Sequence, residues 1–204
     1  MSFTLKNAVK LICKKLNDTN LETYVDDVTS ASVDGLANDE FWQSIVEIIS
    51  AGQFENQDVH GLVGASTASA EGGIDLSSFD ASGGVASIVD FYPPVDGAHE
   101  ADALTKSIRL VTVDFFKQLG SDAQSFFGDD QILAYRVGDT LKFHPSSSAS
   151  AKYVTVVYVK NPDVGTYSAS TTGNLDLQTL FSQNFIYKAI NRTYERMVKI
   201  KNID

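Results

Sequence analysis

Three histidines, one cysteine and a scatter of acid pairs are the residues of this 204-residue chain whose types could do chemistry. His99-Glu100 opens like the helical zinc motif His-Glu-x-x-His, in which two imidazoles one turn apart hold the metal and the glutamate acts as base. The position of the second imidazole is Ala103, so that site cannot form. His60 and His144 stand alone. His144, between Phe143 and Pro145 at the expected end of a strand, reads as a hydrogen-bonded structural histidine. Gly64-Ala65-Ser66-Thr67 starts like a serine nucleophile elbow, but Ala68 stands where the closing glycine is required. No glycine is followed by lysine, which removes the phosphate-cradling loop. Asp129-Asp130 lacks the alternating oxygen ligands of a calcium loop and reads as a polar turn. Cys13 has no cysteine to pair with and no metal-binding neighbour, so it is expected as filler on a helix, in a chain assembled in a reducing cytoplasm. Neither a catalytic set nor a metal or cofactor site emerges, and the expectation is a protein that is not an enzyme. Asp26-Asp27 or Asp39-Glu40 could still meet other acids in space, which keeps an acidic metal-dependent hydrolase as one alternative.

The elements that would position such residues are helical at both ends and β-rich between. Leu5, Ala8/Val9, Ile12 and Leu16 recur at helical spacing and predict a first helix over 3–16. A weaker helical segment is expected over 21–27, and a second helix over 40–50, capped by Asn38 or Asp39, buried through Phe41, Ile45, Ile48 and Ile49 and ended by Gly52. Residues 53–84 are small, polar and glycine-interrupted, and predict an extended loop or arm held by a neighbour. Strands are expected over 85–91 and 107–116, with a short helix or loop over 98–106. Residues 132–159 predict a three-stranded meander. Its first hairpin closes at Gly138-Asp139 in a type II′ turn, its second strand stops at Pro145, a flexible connection follows over 146–151, and its third strand is covered on both faces. The Phe126-Phe127 pair falls in a polar linker. A last helix is expected from a cap at Asn174 or Asp176 to about Val198, with one stripe through Ile186, Ala189/Ile190, Thr193 and Met197 and a second through Tyr187, Asn191, Tyr194 and Val198. The fold class is α+β. Residues 1–52 and 174–200 form a helical bundle, 53–105 an acidic insertion and 106–162 the β element, all within one domain.

Charge is distributed by segment. The net charge is −10, yet the first 15 residues hold four lysines and no acid, while residues 16–105 hold seventeen acids and no lysine or arginine. A cation-free block of that length cannot grip phosphates. It is a solvated acidic surface or one that repels nucleic acid. No apolar run reaches the length of a membrane span, and lysines interrupt the apolar start where an export signal would be continuous.

The order of these elements resembles the head-to-tail adaptor, or connector, proteins of tailed bacteriophages. The likeness is carried by the N-terminal FTLKNAVKLICKKLND, by the phrase Tyr135, Gly138, Asp139, Leu141 and Pro145 followed by a Tyr158-bearing strand and Asn161-Pro162, and by the C-terminal LDLQTLFSQNFIYKAINRTYERM. The resemblance implies a structural virion protein, assembled in the host cytoplasm. Its copies form a ring, typically dodecameric, in the neck under the portal vertex, where it meets the tail or nozzle and extends the channel through which DNA passes without specific binding. It also implies docking on the portal through the C-terminal tail, here Arg192, Arg196, Met197, Val198, Lys199, Ile200, Lys201 and Ile203. Two other readings stand beside it. One is a head-closure, tail-completion or other minor virion protein; the other, from a different class, is a β-rich adhesion or carbohydrate-binding module.

Overall fold

The computed structural model describes residues 3–18, 20–21, 23–79, 84–119, 128, 130–162 and 172–201. The chain is α+β and divides into two compact units. One comprises Met1–Val63 with Asn161–Asp204, the other Gly64–Lys160.

In the first unit, α1 (Leu5–Lys15), α2 (Leu36–Ser50) and the long C-terminal α5 (Gln183–Lys201) pack against one another. The apolar stripes account for this. Leu5, Ala8, Val9 and Ile12 of α1, Phe41, Trp42, Ile45, Ile48 and Ile49 of α2, and Phe185, Ile186, Ala189, Ile190 and Met197 of α5 are all buried. Burial of such side chains is the main favourable term in a bundle of this size. The buried hydroxyls of Ser44 and Thr193 lie 3.1 Å apart, and each reaches the carbonyl four residues back at 2.8 Å, which satisfies them where α2 meets α5. Cys13 is buried in α1, and desolvation, reinforced by the charge of Asp18, pushes its thiol up to about 11.

Helix boundaries differ from expectation for reasons that the backbone makes plain. α2 begins at Leu36, because Gly35, at φ +110°, brings the chain so close to Val25 and Asp26 that a Cβ would sit 2.7 Å from their backbone. Asn38 is therefore a buried residue inside the helix and not its cap. Its far end is closed as expected: Gly52 takes φ +64°, and the Gly52 and Gln53 amides donate to Ile49 and Ile48. The segment expected as a helix over 21–27 is not one. Asp18 accepts from the amides of Thr23 and Tyr24, diverting them from a helical ladder, and a small hairpin follows, β1 (Asp27–Val28) with β2 (Val33–Asp34). α5 starts at Gln183, nine residues after the earliest expected cap. Asp176 caps a separate 3-10 turn, Leu177–Thr179, while Ser182 caps α5 through the amide of Phe185 and is itself fixed by Asp58 at 2.7 Å.

The second unit holds two sheets. β3 (Val63–Ser69), β9 (Tyr153–Lys160) and β5 (Val85–Tyr92) form one in the order β3-β9-β5. β4 (Ile74–Asp75), β8 (Thr140–His144), β7 (Gln131–Val137) and β6 (Ser107–Val111) form the other in the order β4-β8-β7-β6. Their shared core includes Ile132, Ala134, Leu141, Phe143, Val154 and Val156.

The expected meander is thus half correct. β7 and β8 form the hairpin, with Val137 opposite Thr140 and Gly138 at φ +59°. The third strand leaves for the other sheet. Both flanks of β8 are taken, by β7 and by β4 through Ile74 opposite Leu141, and the connection is a short helix, α4 (Ser146–Ala149), where a flexible link was expected. β9 buries Val154, Val156 and Tyr158 on one face, while on the other Val159 is buried and Tyr153, Thr155 and Val157 are half-buried, so the second face is covered only in part.

Two further corrections follow. Residues 53–79 are not an extended loop: a 3-10 segment, Asn56–Leu62, leads into β3, whose alternating small residues fit a strand lying close on Tyr158, where a Cβ on Gly64 would come within 3.0 Å of the ring. The expected strand 107–116 ends at Val111, because Thr112 offers its hydroxyl to the Phe115 amide and its carbonyl to the Phe116 amide, opening α3 (Val113–Leu119). Residues 98–106 carry a single 3-10 turn, Glu100–Asp102. Phe126-Phe127 lies outside the described residues.

Candidate functional site

The sequence candidates for docking lie along the last turns of α5, and their surroundings divide them. Arg196 spans from α5 to α2, with Nε donating to Glu40 at 2.5 Å and Nη1 donating to Glu47. Its hydrogen bond to Glu40, joined by Glu47, holds the guanidinium above its ordinary value. Arg192 reaches Glu47 at 3.4 Å and Glu195 at 3.9 Å. Met197 is buried in the bundle and Val198 is half-buried. Lys199, Ile200 and Lys201 remain exposed, and Ile203 lies outside the described residues. The expected second apolar stripe is correspondingly open, with Asn191 exposed, Tyr194 and Val198 half-buried, and Tyr187 exposed and edge-on to Phe3 at 5.6 Å.

Two adjoining depressions run along this surface. One of about 430 Å³ includes Ile48, Tyr187, Lys188 and Asn191 in its lining; the other, of about 320 Å³, includes Glu47, Arg196, Lys199 and Ile200; Arg192 and Glu195 line both. Both are open grooves, suited to another protein surface more than to a small molecule that must be enclosed. Glu40 and Glu47 were not identified as functional partners from sequence. They are about 150 positions from Arg196, and nothing in the local pattern of α2 reports a partner that distant.

A second feature of unit one is acidic. Asp39, at the first turn of α2, has a carboxyl raised above its ordinary 3.8 by desolvation and by the charges of Asp34, Glu40 and Asp26. The folded chain therefore binds this proton more tightly than the unfolded one. The resulting penalty is fully present above the folded value and is relieved as pH falls toward 3.8. Asp39→Asn is expected to raise the melting temperature at pH 7, with the gain shrinking toward pH 3, as checked by thermal melts of both proteins at the two pH values.

The hairpin residues are structural within the second unit. Leu141 is fully buried, and Tyr135 stacks on Phe116 at 4.1 Å. Arg136 fastens the turn, donating to the Gly138 carbonyl and pairing with Asp139 at 3.2 Å. Pro145 leads into α4.

The other sequence candidates are apart from one another. His99 pairs with Asp96 at 2.7 Å and packs on Tyr153, and Glu100 begins a 3-10 turn. His60 lies beside the carbonyls of Gln57 and Gln178, and His144 packs edge-on to Phe116. Among the described residues no group of three or more His, Cys, Asp or Glu side chains could hold a metal ion, and no helix is long and apolar enough to cross a membrane. The chain is thus a two-unit α+β protein whose candidate site is an open, partly basic helix surface. No protein-family model matches it, and no curated protein matches it.

Proposed function

We propose that the protein is a structural component of a tailed-phage virion, a ring-forming adaptor in the neck that joins the portal vertex to the tail and extends the DNA channel. The observation that carries the reading is the exposed end of α5, where Lys199, Ile200 and Lys201 project beyond the last residues engaged in the bundle, Arg196 and Met197. A helix end that is basic and apolar at once gains from a partner surface that is apolar and acidic. The sequence resemblance supplies the identity of that partner as a portal ring. Several acids of the cation-free block, such as Asp26, Asp34, Asp39 and Glu55, are exposed, and like charge along a channel wall would keep DNA from adhering.

Deleting Lys199 to Asp204 tests the reading. The shortened protein is expected to keep its fold by circular dichroism and to lose joining to portal rings from the same genome in negative-stain images. Unchanged joining removes the docking role from the tail. A particle map that puts the acidic block on the outer wall of the neck removes the channel role.

A further inference from the structure

We infer that neighbouring copies of this chain join through a shared β-sheet, the β3 edge of one copy pairing antiparallel with the β6 edge of the next. The inference deepens the ring reading and rests on it in requiring that copies meet head to tail.

Each sheet of the second unit ends in two edge strands, and they are unequally protected. An exposed edge is a template for further pairing, which proteins block with bulges, charges or very short strands. β4 has two residues. β5 carries two register irregularities, between Val85 and Ser87 and between Ile88 and Asp90, and Arg136 covers its first carbonyls, donating to Val85 at 2.8 Å and Ala86 at 3.3 Å. β3 has none of these devices, and β6 carries one charge, Arg109, with no bulge in its register. β3 reads Val-Gly-Ala-Ser-Thr-Ala-Ser, seven residues without a charge or a proline. Among the described strands β6 pairs with β7 alone, and Ser107, Arg109 and Leu110 are exposed.

The two edges complement each other in size and charge. Beside β6 lies a groove of about 360 Å³ walled by Ile88, Leu110 and Val111, with Arg136 also lining it. It admits a strand whose side chains are small, and β3 is such a strand. In a chain of net charge −10, copies repel one another, yet β3 has no ionisable group and the stretch from Ala103 to Val113 has no acid, only Lys106 and Arg109. Orientation follows from the flanks. Antiparallel pairing sets Glu71, just after β3, beside Lys106, just before β6; parallel pairing would set Glu71 against Asp114. With Glu71 opposite Lys106, Thr67 falls opposite Leu110. Because the two edges are different surfaces of one molecule, the contact is heterologous, the kind whose repetition makes a ring when the rotation between copies closes.

The test mixes two single-cysteine additions, Thr67→Cys and Leu110→Cys, under mild oxidation at concentrations where light scattering shows assembly of the wild type. A disulfide-linked dimer is expected from the mixture and not from either variant alone. Ala65→Lys, which charges an exposed position of β3, is expected to weaken assembly at least tenfold while leaving the thermal melt unchanged. Assembly without the mixed disulfide, and undiminished in Ala65→Lys, overturns the shared sheet while leaving the ring intact. Cross-linking of Thr67→Cys to itself overturns it in favour of a twofold β3–β3 contact. A wild type that is monomeric at every concentration overturns it too, and the portal-joining images then judge the ring reading separately.

Discussion

Phe181→Ala is expected to lower the unfolding free energy of the helical unit by about 3–5 kcal/mol, the range for removing a buried aromatic ring. Phe181 is 1% exposed and stacks on Phe185, with ring centroids 5.1 Å apart, while Trp42 of α2 lies 6.5 Å away on its other contacts. The ring therefore bridges the entry to α5 and the middle of α2, and both helices lose a neighbour when it goes. The collapse needed to fill the space is opposed by the Ser182 cap and its tie to Asp58, which fix the backbone one residue on. Trp42 is the one tryptophan of the chain and sits in this unit, so its fluorescence reports on the unit directly. A urea midpoint that does not move between wild type and variant would remove Phe181 from the core.

How much of this was legible in the sequence depends on where the determining contact lies. The stripe Ile186, Ala189, Ile190, Thr193 and Met197 could be read because a helix's own period decides which face is buried, and all five are buried. Gly138 and Gly52 could be read because each turn needs a positive φ that the local sequence announces. β3 could not. Its Ala, Ser, Thr and Gly carry little hydrophobic signal, and what makes them a strand is Tyr158 and the flank of β9 some ninety residues later. The departure of β9 from the expected meander has the same origin: adjacency in sequence favours pairing with β8, but β4 already occupies that flank. The start of α2 at Leu36 was hidden behind better-looking caps at Asn38 and Asp39, because the close approach of Gly35 to Val25 is a tertiary fact. Of the candidate docking residues, sequence marked the basic helix end but could not separate the cations that bind acids of the same unit from those that face outward.

That separation can be measured at Arg196. Arg196→Met is expected to cost about 2 kcal/mol, less than the 3–5 kcal/mol of a fully buried pair, because water still reaches part of the guanidinium. The arginine side chain is 28% exposed and that of Glu40 only 14%, so removal of the cation leaves Glu40 with little solvent and without the Arg196 donor. Glu47 is more open, at 40%, and should contribute the smaller share. A double-mutant cycle with Glu40→Gln isolates the direct pairing, and a coupling near zero would show that the stability loss comes from packing of the arginine stem instead. The same variants bear on docking. If Arg196 works inside the bundle, Arg196→Met at a temperature well below its melt should join portal rings as the wild type does, while charge removal at Lys199 and Lys201 should not; loss of joining in a fully folded Arg196→Met protein would return Arg196 to the docking surface.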